Sequence, residues 1–283
     1  MITQSDLRYQ ILRIRKIEQA IASEYSKLEM RQPVHLDIGA EWASVVVCSQ
    51  LEPHDNAFGN HRSHSQFLSC GDKDSLKQLI AGLMGKNDLS SMHLSSDGIF
   101  VAYGSIVGGM LPISVGAALA KKLKGEKGIV VCFLGDGATE EGIWAESLSF
   151  SVLWELPILF VVQNNGLAVT TPIKARHKYD ISEVAKAYGL GEHYLNCRVG
   201  LDLLSNSVTA IINRVRLGKP SLVELDVERK MVHCGIDVER DLLHDILDGY
   251  SVDESAIDNE IKEAFEFARN SPEPTEVRGV YAD

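Results

Sequence analysis

Two polar pairs stand where two apolar runs end. GIVVCFL (128–134) is followed by Gly135-Asp136-Gly137, and PILFVVQ (157–163) by Asn164-Asn165. An aspartate carboxylate and an asparagine amide oxygen are hard donors of the kind Mg²⁺ takes, and Mg²⁺ commonly keeps phosphate oxygens among its six ligands. The glycines beside the aspartate let the backbone come close to a ligand, and a helix start just beyond them would favour a diphosphate. A carboxylate, an amide oxygen and two phosphates at neighbouring strand ends would make a Mg-diphosphate site. Either polar pair alone would be an ordinary turn. Together, with 26 residues (138–163) between Gly137 and Asn164, they fit the two ends of one β–α–β unit.

Those ends need a sheet to hold them. Both apolar runs are continuous, as in parallel strands buried on two faces, and a helix over roughly 139–154 joins them. Upstream, Leu7, Ile11, Ile14, Ile17, Ile21, Tyr25 and Leu28 recur at helical spacing, with Ser5 or Asp6 as the N-cap. A less regular region then carries four of the nine histidines. GSIVGGMLPISVGAALAKKL reads as a glycine-rich turn entering a helix of small residues able to lie close on a sheet. DISEVAKAYGL and LDLLSNSVTAIINRVRLG read as helices, and SLVELDVER as a strand. At the end, Ile257, Ile261, Phe265 and Ala268 share a helical face before Pro272. The expectation is one α/β domain over 1–283, a mostly parallel doubly wound sheet with N- and C-terminal helical extensions.

Composition narrows the partners. A net charge of −11 and a pI near 5.3 argue against nucleic acid, which needs a basic face. The five cysteines form no CxxC pair and, with no secretory segment at the N-terminus, read as reduced thiols in a cytoplasmic protein. The apolar runs are strand-sized, too short to span a bilayer, so no membrane is expected.

GDG-x26-NN resembles the thiamine diphosphate signature, and its surroundings resemble one family: the alpha subunit of the decarboxylating component of 2-oxo acid dehydrogenases, of pyruvate, branched-chain or acetoin type. The likeness is carried by GDGATEEGIWAESLSFSVLWELPILFVVQNNGLAVTTP and by HLDIGAEWA, HRSH, SSMHL, GSIVGG, DISEVAKAYGL, PSLVELDVERKMVHCG and SPEPTEVRGVYAD, in family order. The resemblance implies the thiamine diphosphate-binding fold and the cofactors thiamine diphosphate and Mg²⁺. It implies that Asp136, the Asn165 side chain and the Leu167 carbonyl ligate Mg²⁺, with Gly137 and Ala138 against the diphosphate. Arg62 matches a phosphate-binding arginine, with His61 beside it in the cofactor site. Ser105 and Val107 match the segment that meets the aminopyrimidine. His35 and His233 match catalytic histidines near the reacting carbon, His233 also bordering the cofactor.

The family's activating glutamate belongs to a separate beta subunit, so the resemblance implies an α2β2 assembly acting on a small 2-oxo acid, with a lipoyl acyltransferase as a further partner. Three departures bear on the activity. His61 stands where the family usually has tyrosine, Gln163 where some members carry arginine, and HCGIDVERDLLHDILDG shortens the loop after His233. Two other readings stand beside this one: the N-terminal subunit of a split transketolase-like enzyme, and a non-enzyme subunit whose cofactor site has decayed. His61-x-x-His64 with Cys70 lacks a fourth ligand for zinc. His54, His177, His193 and His244 read as surface or packing residues, and His64 and His93 have no assigned role.

Overall fold

The computed structural model describes residues 3–27, 29–87 and 98–274. In chain order the elements are α1 (Gln4–Tyr25), α2 (Glu41–Cys48), β1 (Asn56–Gly59), α3 (His64–Cys70), α4 (Ser75–Leu83), β2 (Phe100–Tyr103), α5 (Met110–Lys124) and β3 (Val130–Gly135). A 3₁₀ turn (Asp136–Glu140) leads into α6 (Gly142–Leu153), then β4 (Ile158–Asn164), β5 (Leu167–Ala168), β6 (Thr171–Pro172), α7 (Ile173–Arg176) and α8 (Ile181–Tyr188). β7 (Gly191–Asn196), α9 (Leu201–Arg216), β8 (Ser221–Asp226) and α10 (Ser255–Asn270) complete the described chain.

Six strands form one sheet in the order β2-β1-β3-β4-β8-β7, and every pair is parallel. The pleat explains the continuous apolar runs. Val131 and Phe133 of β3 and Leu159 and Val161 of β4 pack into one core, beneath α1, α2, α4, α9 and α10. Their neighbours Val130, Cys132, Leu134, Ile158, Phe160 and Val162 pack into a second core, beneath α5, α6 and α8. A strand with helices on both sides has no polar face to show. The sheet is thus doubly wound, as the strand pattern implied.

Strand order also fixes where a ligand can sit. From β1 the chain moves outward to β2, then returns to β3 on the other side of β1 and continues to β4. Between β1 and β3 the winding therefore reverses. The crevice beyond the carboxyl ends of strands at such a reversal is where open α/β sheets bind ligands.

Local structure differs from expectation in several places. The α1 cap is Thr3, not Ser5 or Asp6; Asp6 is the reciprocal partner in a capping box. The buried stripe of α1 holds Leu7, Ile11, Ile14, Ile17 and Ile21 as spaced, but also Arg15 and Glu18. Tyr25 is partly buried against that core, and Leu28 lies outside the described residues. α6 starts at Gly142, so its N-terminus is not the turn beside Asp136; the 3₁₀ turn intervenes. The irregular histidine-bearing region contains α2, β1 and α3. All five cysteines are unpaired, and among the described residues no helix is long and apolar enough to cross a membrane.

Candidate active site

A cavity of about 330 Å³ opens at the reversal point, and two walls of different construction face it. One wall comes from the ends of β3 and β4. Their register pairs Gly135 with Gln163, so the residues that follow emerge side by side. Asp136, Gly137, Ala138, Asn165 and Leu167 all line the cavity. Asp136 is 1% exposed, and its Oδ2 pairs with the guanidinium of Arg176 on α7, which also holds Glu140. Among the described residues Oδ1 of Asp136 makes no hydrogen bond. Gly137 has a steric reason to be glycine: a Cβ there would lie 3.0 Å from the Cβ of Ala168.

The two asparagines divide their work. Asn164 turns sideways, its Nδ2 donating to Glu224 Oε1 of β8 at 2.7 Å. Asn165 faces the cavity, and its Oδ1 accepts from the Leu167 amide at 3.1 Å, closing a turn in which Gly166 has φ +74°. Gln163, also on the cavity wall, is hydrogen-bonded to Gln66 at 3.0 Å.

The other wall is made of loops. Gly59 ends β1 in a turn so tight that a Cβ would fall 2.1 Å from Ser63 Oγ, and His61 and Arg62 follow it over the crevice. Arg62, nearly buried, donates to the carbonyls of Leu36 and His233, tying together two loops far apart in sequence. A bridge between His35 and Gly235, with the Gly235 amide donating to the Val34 carbonyl at 2.9 Å, joins the same loops. Three imidazoles meet there. The ring centres lie 4.9 Å apart for His35 and His61, 5.2 Å for His35 and His233, and 5.1 Å for His61 and His233.

Burial, reinforced by the Arg62 charge, disfavours protonation of all three. It pushes His35 down to about 4 and His61 to about 3, and lowers His233. All three are therefore neutral near pH 7. The cavity also holds Asp37, which is 2% exposed. One of its oxygens bonds the Ser65 hydroxyl, while Oδ1 is buried with no partner. Burial raises its carboxyl well above the ordinary range. Arg229 lies beside the histidines, its charge met by Glu239 at 2.5 Å and one nitrogen donating to the Val169 carbonyl at 2.8 Å.

The structure thus brings His61, Arg62, Asp136, Gly137, Ala138, Asn165, Leu167 and His233 around one cavity, while His35 is not part of its wall and sits buried behind it in ring contact with His61 and His233. Val107 reaches its rim on the loop after β2, half exposed, while Ser105 on that loop is not part of the wall. His64 points elsewhere, its Nδ1 against Glu18 Oε1 at 2.9 Å inside the core, which also ends the case for zinc on His61 and His64. His93 lies outside the described residues. Asp37, Arg176 and Arg229 were not singled out from sequence. Asp37 stands two residues after His35, in a stretch whose flanking Leu36 and Ile38 are buried, and that was the one available signal.

The description "Dehydrogenase E1 component" matches residues 9–240 of the chain. The alpha subunit of acetoin:2,6-dichlorophenolindophenol oxidoreductase from Bacillus subtilis is 32% identical over 238 residues, covering 81% of this chain and 71% of the relative. The pyruvate dehydrogenase E1 component subunit alpha from Zymomonas mobilis is 28% identical over 302 residues, covering 94% and 84%. Among solved structures, transketolase from Campylobacter jejuni superimposes with a TM-score of 0.59 at 17% identity, covering 80% of this chain but 38% of that one. That likeness is one of fold. The match over 9–240 and the two alpha-subunit relatives settle the lineage: the chain is an enzyme subunit belonging to the dehydrogenase E1 component family.

Proposed function

We propose that this chain is the alpha subunit of a heteromeric enzyme that uses thiamine diphosphate and Mg²⁺ to decarboxylate a small 2-oxo acid. The carrying observation is that an oxygen-donor wall and a neutral-histidine wall face each other across one cavity at the reversal point of the sheet. The residues suit the cofactor. Asp136 already holds a cation, the Arg176 guanidinium, while among the described residues its second oxygen makes no hydrogen bond. The Asn165 side chain and the Leu167 residue lie on the same wall. Asp136, Asn165 and the Leu167 carbonyl would hold Mg²⁺, as three oxygen donors beside phosphate suit that ion.

Gly137 and Ala138 would lie against the diphosphate. Among the described residues two of the five Arg62 donors are committed to carbonyls, and the others could meet a phosphate oxygen. Val107 on the rim would present backbone to the pyrimidine ring, with Ser105 on the same loop set back from the wall. Bound there, thiamine diphosphate supplies a nucleophilic carbon and an electron sink for loss of carbon dioxide. The protein's part is donation and proton transfer. A neutral imidazole carries one N–H and one lone pair, so His233 on the cavity wall can donate to a developing oxyanion or carry a proton, with His35 in ring contact behind it as the second catalytic candidate. His61 sits within ring contact of both.

The pyrimidine-activating carboxylate would come from a beta-type partner, in an α2β2 assembly of the cytoplasm. The segment after His233 bears on the acceptor. Its start is a compact turn, with Val232 N donating to Asp237 O at 3.0 Å and Glu239 N to Lys230 O at 2.9 Å. Arg240 then reaches the Asn165 carbonyl at 3.1 Å. So short a segment, folded back on the site wall, offers little surface to a lipoyl domain. We expect the carbon unit to pass to a small acceptor faster than to a lipoyl acyltransferase.

Co-expression with a beta-type partner, followed by calorimetry with thiamine diphosphate in Mg²⁺ and assay of carbon dioxide release from 2-oxo acids, tests the reading. Asp136→Ala should abolish measurable cofactor binding while the fold persists. Unchanged affinity would remove Asp136 from the site. Rapid reductive acylation of a lipoyl domain, without carboligation to aldehydes, would overturn the acceptor assignment alone.

A further inference from the structure

His35, His61 and His233 are 26 and 172 residues apart in sequence, yet one nitrogen from each falls within 4.8 Å of the other two. Their rings are steeply inclined to one another, at 76°, 78° and 53°, so the nitrogens can converge on a point. Among the described residues no hydrogen bond engages any of the six ring nitrogens, and Nδ1 of His35, on a side chain only 6% exposed, is buried with no partner at all. The arrangement exists before any ligand arrives, because Arg62 and the His35–Gly235 bridge hold the loops.

We propose that these three histidines form a binding site for a borderline transition cation, Zn²⁺ being the best fit, with an open fourth position on the cavity. Three imidazoles with a vacant position are an established donor set for zinc, with Zn–N bonds of about 2.0–2.1 Å, so the rings would draw together as the ion binds. No proton has to be displaced, since burial keeps the imidazoles neutral at pH 7.

The nearby arginines decide which cations are admitted. Arg229 is neutralised by Glu239, but Arg62 keeps its charge close to the rings. A hard ion such as Mg²⁺ binds chiefly by charge and prefers oxygen, so it is excluded from this wall. Zn²⁺ gains from coordination to nitrogen and tolerates that field better. Metal coordination would consume the lone pairs of His35 and His233. Occupancy should therefore inhibit the enzyme reversibly, a consequence that rests on the function proposed above, whereas binding itself does not.

The test uses the full chain without a polyhistidine tag, in excess Mg²⁺ to fill oxygen sites and without thiamine diphosphate. Titration with Co²⁺ should give the intense visible absorption of a four-coordinate site, and Zn²⁺ should displace it at one equivalent. His61→Phe, which removes a ligand outright, should weaken Zn²⁺ binding by at least the roughly 10- to 100-fold that loss of an outer-shell partner costs. His61→Leu, which is smaller and carries no donor, serves if the phenylalanine variant does not fold. Cys234→Ser, next to His233, should leave binding unchanged. Unaltered affinity in either His61 variant, or loss only in Cys234→Ser, would overturn the site. Since no cofactor is present, failure here is separate from failure of the thiamine diphosphate reading, which calorimetry with that cofactor decides.

Discussion

The two walls of the cavity are held by different forces. The Asp136–Asn165 wall continues the register of β3 and β4, strands whose side chains are buried on both faces, so the hydrophobic cores fix its geometry. Its functional side chains can be changed without touching what positions them. The histidine wall has no such backing. Three loops meet because one guanidinium bonds two of their carbonyls and one bridge joins His35 to Gly235. There a single polar side chain is both a candidate ligand group and the clamp. The same cavity is therefore robust on one side and fragile on the other.

Arg62→Met is the largest way to break that contrast. It leaves the Leu36 and His233 carbonyls without their charged donor, at a cost of about 3 kcal/mol or more. The histidines should separate, so activity and stability fall together, and Arg62→Lys should recover only part of either. Asp136→Ala should instead remove cofactor binding and cost the cofactor-free chain less stability than Arg62→Met does, because Arg176 keeps Glu140 as a partner. Denaturant unfolding of both variants checks the pair. Equal destabilisation would show that the two walls are not mechanically distinct.

Proton linkage separates the walls next. In the unfolded chain His35, His61 and His233 titrate near 6.5, whereas in the fold His35 is held to about 4 and His61 to about 3. Between those values the unfolded chain binds more protons, so stability rises with pH. This contribution is complete above about pH 7 and drains away as pH falls from 6.5 toward 4. Thermal midpoints measured from pH 7.5 to 5 should drop, and His61→Phe should flatten the slope by close to one proton. An unchanged slope would mean that His61 is protonated in the fold.

The same contrast explains what could be read from the sequence. Asp136 and Asn165 were legible because they terminate two continuous apolar strands, and strand length and spacing are local properties. β1 and β2 were not, being four residues each. α2 was not, because all eight of its residues are buried and an all-round buried helix shows no amphipathic stripe. His35, Arg62 and His233 were found only through family likeness, since nothing local brings residue 35 to residue 233. Glu18 shows the limit in the other direction. A charge on a helix ordinarily marks the solvent face, but here it is fully buried against His64 and the Asp37 amide. That long-range pairing exists only in the fold.

The smallest effect is expected at Arg176, where the oxygen wall carries a removable cation. Its guanidinium bonds both Asp136 and Glu140, and its side chain is only 8% exposed. With no metal bound, the pair stabilises the fold, because a buried carboxylate without a partner is costly. With Mg²⁺ on Asp136 the guanidinium becomes a competitor, and its positive charge opposes the ion. Arg176→Gln should therefore move two readouts in opposite directions. The cofactor-free chain should melt earlier, while Mg²⁺, titrated in the presence of thiamine diphosphate, should bind about five- to tenfold more tightly, about 1 kcal/mol. Calorimetry on the assembled pair measures the second, and thermal denaturation in EDTA the first. Weaker Mg²⁺ binding in the variant would assign Arg176 the opposite role, that of orienting the Asp136 carboxylate for the metal. The oxygen wall would then depend on a side-chain clamp as the histidine wall does, and the distinction between them would fail.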